Sequence, residues 1–353
     1  MKTSEFDYDL PSELIAQTPL EPRSVSRLMV LNRASGDILH RRFYDLPDLL
    51  RPGDLLVHNE SRVIPARLFA QKATGGRVEM LLLRPRDDLT WETLVHGKRV
   101  RVGTRLTLLD APDGAPTDAQ AEVLEVGERG LRVLLFNKPV LPLAKQVGTT
   151  PLPPYIHTSL TDPERYQTVY ARTPGSAAAP TAGLHFTPDL LLELREKGIQ
   201  SAFVTLHIGL DTFRPVQEER IEDHRIHTEY CRLTPEVAEQ INQVKLAGGR
   251  VVAVGTTSVR VLETAALAAA RAQVEVCPRQ SIAAFDGPTD LFIYPGYRYR
   301  IVDVLITNFH LPRSTLLMLV AAFAGKELME RAYSEAIRQR YRFYSFGDAM
   351  LIL

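Results

Sequence analysis

Three histidines sit where apolar runs break off. They are His185 in "ARTPGSAAAPTAGLHFTPDLL" (171–191), His207 in "SAFVTLHIG" (201–209) and His310 in "LITNFHLPRS" (305–314). An imidazole titrates near neutrality, so each ring can move a proton at physiological pH; each can equally satisfy a backbone carbonyl from a loop. Around His185, Pro174, Gly175, Pro180 and Gly183 forbid a continuous helix or central strand. Thr187, Pro188 and Asp189 then read as a helix cap, a first-turn proline and an acid matched to the positive end of the helix. His185 is therefore expected on a pliant loop, at the mouth of a helix N-terminus.

Other stretches add polar and aromatic groups. "GTTS" (255–258) precedes the helix-favouring "VRVLETAALAAA", so its free N–H groups and the hydroxyls of Thr256, Thr257 and Ser258 suit a carboxylate or phosphate, or serve as a plain N-cap. "DLFIYPGYRYR" (290–300) gathers Phe292, Tyr294, Tyr297 and Tyr299. If this is a strand, alternate positions share one face, which is either core or a surface for stacking a base or cation, worth about 0.5–2 kcal/mol. "HRIHTEY" sets His224 and His227 three apart, but no H-E-x-x-H or paired C-x-x-C accompanies them, so a structural role or substrate contact is preferred over a metal. No G-x-x-x-x-G-K-[ST] is present, and no G-x-G-x-x-G follows a strand. These absences disfavour a P-loop ATPase and a standard dinucleotide site.

The elements that must position these residues fall into three textures. The first sixty residues mix a short amphipathic piece with strand-like "RLMVLNR" and "GDLLVHN". Over 61–150 helix signals vanish, and apolar runs pair around Gly75-Gly76 and around Gly127 and Gly130, as in a small β-barrel or sandwich. From about residue 155 strands and helices alternate, the signature of a parallel α/β sheet. Three strands end on polar residues: at His207 and Gly209, at Gly255 to Ser258, and at Asn308 and His310. Ligands of such sheets bind at strand carboxyl ends. The β-rich segment reads as an insertion into the α/β body.

Composition sets the outer limits. The chain has 353 residues, with Lys plus Arg and Asp plus Glu each counting 42, so any polyanion must meet a segregated basic patch. "HGKRVRVGTR" (96–105) and "RAYSEAIRQRYR" (331–342) are two such clusters, and either can also be a solvated face. The two cysteines, Cys231 and Cys277, rule out a disulfide framework and fit a reducing compartment. No apolar run approaches the ~18 residues of a membrane span. The opening "MKTSEFDYDLP" carries no hydrophobic signal region.

"VHNESRVIPARL", "YQTVYARTPGSAAAPTAGLHFT", "FVTLHIGLDTFRPV", "VVAVGTTSVRVLE", "LFIYPGYRYRIVDVLITNFHLPRSTLLMLVAAFAG" and "YRFYSFGDAMLI" resemble, in order, the S-adenosylmethionine:tRNA ribosyltransferase-isomerase family of queuosine biosynthesis. The likeness is weakest over roughly 75–150. The resemblance implies an α/β class protein: a main α/β body with a mixed or parallel, barrel-like sheet, plus an inserted small all-β barrel. The expected division is 1–60 and 151–353 for the body and 61–150 for the barrel. It implies transfer and isomerisation of the ribosyl group of S-adenosylmethionine onto 7-aminomethyl-7-deazaguanine in the tRNA wobble position, with loss of adenine and methionine. The partners are then that tRNA and S-adenosylmethionine, with no membrane, no metal and no cofactor beyond the donor, in a cytoplasmic monomer. Two positions depart from the family: Asp211 stands where glycine is common, and His58 where an apolar or aromatic residue is common.

Such chemistry has proton steps that suit imidazole. The acceptor amine must be neutral, and an alkyl amine with pKa near 10 resists this at pH 7 by about 4 kcal/mol. A proton leaves the sulfonium-activated 5′ carbon, and adenine departs protonated or hydrogen-bonded. His185, His207 and His310 are the acid/base candidates, expected around one pocket, with the His185 loop closing over the RNA-borne nucleotide. Thr256, Thr257 and Ser258 are candidates for the methionine carboxylate. Phe292 and Tyr294 are candidates for adenine or the sulfonium. Arg214 and Arg260 are assigned ribose hydroxyls, the carboxylate or a phosphate, and Asn308 a base edge. A tRNA-binding module without catalysis, and an enzyme using another nucleoside donor, are the alternatives.

Overall fold

The runs 55–59, 251–254 and 304–308 are buried at every position, the pattern of strands covered on both faces. The computed structural model describes residues 1–158, 160–209, 215–271 and 281–353. Asp211, Arg214 and Cys277 lie outside the described residues. In chain order the strands are β1 (Arg27–Leu31), β2 (Ile38–Arg42), β3 (Leu55–Asn59), β4 (Ser61–Val63), β5 (Arg67–Lys72), β6 (Arg77–Pro85), β7 (Thr90–His96), β8 (Arg105–Leu109), β9 (Pro116–Val126), β10 (Leu131–Phe136), β11 (Thr173–Ser176), β12 (Gln200–Leu206), β13 (Glu229–Leu233), β14 (Val251–Val254), β15 (Phe285–Thr289), β16 (Val304–Asn308) and β17 (Ala349–Ile352). The helices are α1 (Leu46–Leu49), α2 (Val140–Val147), α3 (Pro188–Glu196), α4 (Pro235–Leu246), α5 (Gly255–Arg271), α6 (Thr315–Ala324) and α7 (Lys326–Arg338).

The chain forms two compact units, one of Met1–Ser61, Pro153–Thr173 and Pro180–Leu353, the other of Arg62–Leu152 with Pro174–Ala179. The first holds a nine-stranded mixed sheet ordered β15-β13-β12-β3-β14-β16-β17-β1-β2. Its centre, β12-β3-β14-β16, is parallel. The sheet is open, ending on β15 and β2. β12 pairs with β13 at Thr205 with Arg232 and Leu206 with Cys231, and the His207 N–H continues the ladder to the Tyr230 carbonyl at 3.1 Å, so the two strands part toward the Gln200 end of β12. One face packs Leu56, Val252, Val254, Val304, Ile306 and Leu351 against Phe186, Leu190 and Leu194. α3 starts as its residues dictate: the Thr187 side chain accepts from Leu190 N–H, and Pro188 opens the first turn. α6 ends at Gly325, whose φ is +88°.

The second unit is a closed antiparallel barrel, β10-β7-β6-β5-β8-β9. Gly75 (φ +79°) turns the β5–β6 hairpin, and Gly127 with Gly130 flank the β9–β10 turn. The Ile64 N–H donates to the Ser176 carbonyl at 3.0 Å, which ties 174–179 to this unit.

Candidate active site at the strand carboxyl ends

The parallel strands deliver their polar ends to one side of the first unit, and among the described residues a groove lined by His207 forms without His185 or His310. Thr181–His185 forms a 3-10 turn in which Ala182, Gly183, Leu184 and His185 are buried. The loop expected to be pliant is therefore packed. Its small residues allow close approach: a Cβ on Gly183 would lie 2.1 Å from the Tyr170 hydroxyl and 2.8 Å from Thr168 Cγ2.

His185 has partners at both nitrogens. Nδ1 lies 2.8 Å from Ser26 Oγ, and Nε2 lies 3.3 Å from Asn308 Nδ2. The ring stacks on Phe43 at 4.9 Å. Asn308 closes β16; its Oδ1 accepts from the Thr181 hydroxyl at 3.2 Å and its Nδ2 also donates to the Tyr344 carbonyl at 3.2 Å. Burial, reinforced by the positive Arg342 and Arg23, pushes the His185 pKa down to about 3. Asn308, assigned a base edge from the sequence, has both amide hydrogens committed inside the protein.

His310 is two residues beyond Asn308, and its ring turns back to Thr307, with Nε2 at 2.7 Å from Oγ1. Its N–H donates to the Tyr333 hydroxyl at 2.9 Å, and its carbonyl accepts from Tyr8. Burial lowers its pKa to about 3.

His207 follows β12, three strand steps from β16, so on the order of 14 Å away at ~4.8 Å per step. It lines a groove of about 270 Å³ that neither His185 nor His310 reaches. Phe203, Thr205, Tyr230, Arg172 and Arg232 also line it, where β13 parts from β12. His207 Nδ1 is buried without a hydrogen-bond partner. The ring lies 6.1 Å from that of Tyr230, nearly parallel, and burial lowers its pKa. Arg172 reaches Glu60 with Nε 2.5 Å from Oε2 and sits over Phe203 at 5.3 Å.

The remaining sequence candidates divide. β14 enters α5 without an intervening turn, because Gly255 takes φ +88° directly at the junction. Thr256 is buried and Ser258 Oγ donates to the Val254 carbonyl at 2.9 Å, whereas Thr257 Oγ1 is buried without a partner. Arg260 is not open to ribose or phosphate. It is buried against Glu229 and donates to the carbonyls of Leu291 (3.2 Å) and Thr289 (3.4 Å). Residues 290–300 are irregular rather than a strand, since Gly296 and a turn from Tyr297 N–H to the Tyr294 carbonyl break any ladder. The aromatics split accordingly. Phe292 packs on Tyr294 (5.1 Å) and His224 (5.6 Å), while Tyr299 packs on Phe323 (4.9 Å). His224 Nδ1 is 2.8 Å from Glu218 Oε2. Among the described residues no group of three or more His, Cys, Asp or Glu could hold a metal, and no helix is long and apolar enough to cross a membrane.

Sequence reasoning missed Ser26, Thr181, Tyr344 and Phe43. Thr181 and Tyr344 lie inside the quoted segments "PTAGLHF" and "YRFYSFGDAM"; Ser26 precedes β1 with no sign of its partner.

Residues 3–352 match the family described as queuosine biosynthesis protein. The chain is 55% identical to the S-adenosylmethionine:tRNA ribosyltransferase-isomerase of Symbiobacterium thermophilum and 52% identical to that of Thermotoga maritima, in each case over all of both chains. It is also similar to a crystal structure of S-adenosylmethionine tRNA ribosyltransferase from Thermotoga maritima, with a TM-score of 0.55, 43% identity, and coverage of 99% of this chain and 100% of that one.

Proposed function

The chain belongs to the queuosine biosynthesis protein family, and on that premise we propose that it transfers and isomerises the ribosyl moiety of S-adenosylmethionine onto 7-aminomethyl-7-deazaguanine in the tRNA wobble position. The products are epoxyqueuosine-tRNA, adenine and methionine. The single observation that carries this reading is the full-length match, with relatives of that named activity at 50–55% identity. S-adenosylmethionine is spent as the ribosyl donor, with no separate cofactor, and the protein acts as a cytoplasmic monomer.

The geometry suits the chemistry in specific places. His207 meets substrate in its groove. Its lowered pKa keeps the ring neutral at pH 7, so it can accept the proton that the acceptor amine must lose. The unpartnered Thr257 hydroxyl at the N-terminus of the 17-residue α5 takes the methionine carboxylate, aided by the helix dipole. Phe292 and Tyr294, both half-buried, offer a face to adenine or the sulfonium. His185 and His310, held by hydroxyl and amide partners, act later in the proton transfers, once substrate displaces those partners.

The test is incubation of the purified protein with S-adenosylmethionine and tRNA bearing 7-aminomethyl-7-deazaguanine, following adenine by chromatography and the tRNA nucleoside by mass spectrometry. Stoichiometric adenine and epoxyqueuosine support the reading. Retained tRNA binding without adenine makes the protein a binding module, and product formed only with another nucleoside replaces the donor.

A further inference from the structure

The hydrogen bonds that hold His185 have directions that chemistry fixes. Asn308 Nδ2 lies 3.2 Å from the Tyr344 carbonyl, which can only accept. The nitrogen end of the amide must face it, since the flipped amide would set two oxygens together. The Thr181 hydroxyl, 3.2 Å from Oδ1, fits this orientation by donating. The second Nδ2 hydrogen is then available to His185 Nε2 at 3.3 Å. A ring nitrogen that receives a hydrogen bond presents a lone pair, so a neutral ring carries its proton on Nδ1 and donates it to Ser26 Oγ at 2.8 Å.

We propose that Asn308 is a positioning residue that fixes His185 as the Nδ1–H tautomer, with Ser26 as the acceptor that completes the arrangement. Two consequences follow. The lone pair that His185 can use is on Nε2, beside the carboxyl end of β16, and a proton reaches it only after Asn308 releases its bond. Ser26 receives a proton contact from His185 and is not a nucleophile activated by it. The burial of all three side chains keeps water from competing for these bonds. Any effect on turnover rests on the function proposed above; the tautomer is a property of the free protein.

The test is a long-range 1H–15N correlation spectrum at pH 7 of protein labelled with 15N-histidine. The His185 signals are identified by their loss in His185→Gln. The expected spectrum has a protonated Nδ1 and an unprotonated Nε2. The reverse, or two protonated nitrogens, overturns the proposal whatever the activity. Asn308→Asp replaces the donor with an acceptor and is expected to bring a proton to Nε2, to shift the pH–rate profile and to lower turnover at least tenfold. Asn308→Ala, should the aspartate variant not fold, is expected to give a mixture of tautomers. An unchanged Nδ1–H signature in either variant removes Asn308 from the role. Ser26→Ala is expected to keep the tautomer, because Asn308 still donates to Nε2; a switch to Nε2–H there overturns the order of control. If wild-type protein releases no adenine, the functional reading fails while the spectrum still decides the tautomer.

Discussion

Arg260 and Glu229 are ion-paired with side-chain exposures of only 6% and 7%, and Glu229 Oε1 also accepts the Gly209 N–H at 3.0 Å. One pair thus joins α5, β13 and the chain just after His207. Removing one partner leaves a buried charge, which typically costs 3–5 kcal/mol. Arg260→Ala is expected to lose about that much stability in urea or guanidinium unfolding. A loss below about 1 kcal/mol would mean that water reaches the carboxylate.

His207 is the imidazole with an unpartnered buried nitrogen in an open groove. His207→Gln is expected to lower kcat for adenine release by roughly 10²–10⁴-fold. The folded protein should remain nearly as stable, because no side-chain bond of Nδ1 is lost. Because burial lowers the His207 pKa, the acid limb of the wild-type rate should lie below the ordinary imidazole range, with activity rising as pH rises through it. Near-normal turnover of the variant with saturating substrates would end its acid/base role.

His58 is fully buried among Tyr170 (4.7 Å), Phe186 (5.1 Å) and Phe203 (5.4 Å), with Nδ1 unpartnered. Its pKa falls to about 3 through burial. The unfolded chain therefore takes up a proton near pH 6.5 that the folded chain refuses. Its share of stability is full above that pH and is lost as pH falls toward 3, about 2 kcal/mol by pH 5. His58→Phe fills the same aromatic surroundings, and it is expected to gain about 1 kcal/mol at pH 7 and to flatten the slope between pH 7 and 5. Equal slopes for the two proteins would show that His58 protonates in place.

Gly183 leaves no room for a methyl group under the Tyr170 hydroxyl. Gly183→Ala is expected to cost about 1–3 kcal/mol by overpacking. Adding Tyr170→Phe removes the nearest clashing atom, so the double variant should recover at least about 0.5 kcal/mol relative to additivity. Strict additivity would place the strain elsewhere, at Thr168.

Much of the architecture could be read from the chain. The all-apolar run at β14, the apolar start of β16, the Thr187-Pro188 cap and the paired glycines of the barrel hairpins are local signals, and local physics decides them. Residues 174–179 are less legible: they join the barrel unit through a backbone bond to Ile64, which no periodicity announces. "DLFIYPGYRYR" has strand composition, yet Glu263 on α5 accepts the N–H groups of Arg300, Ile301 and Val302 and so takes the place of a neighbouring strand. The small residues before His185 suggested motion, whereas they serve tight packing; composition alone gives the same letters for both. Partner choice was the hardest to foresee. Arg260 has an ordinary place on a helix, and its commitment to Glu229 depends on a strand 31 residues away.

β13 is sewn to β12 by two residue pairs and the bond from His207 N–H to the Tyr230 carbonyl, with Glu229 and Arg260 as a further stitch. The outermost two strands are thus a selvedge fastened at the His207 end, and the groove opens from that seam along Ser201, Phe203 and Thr234.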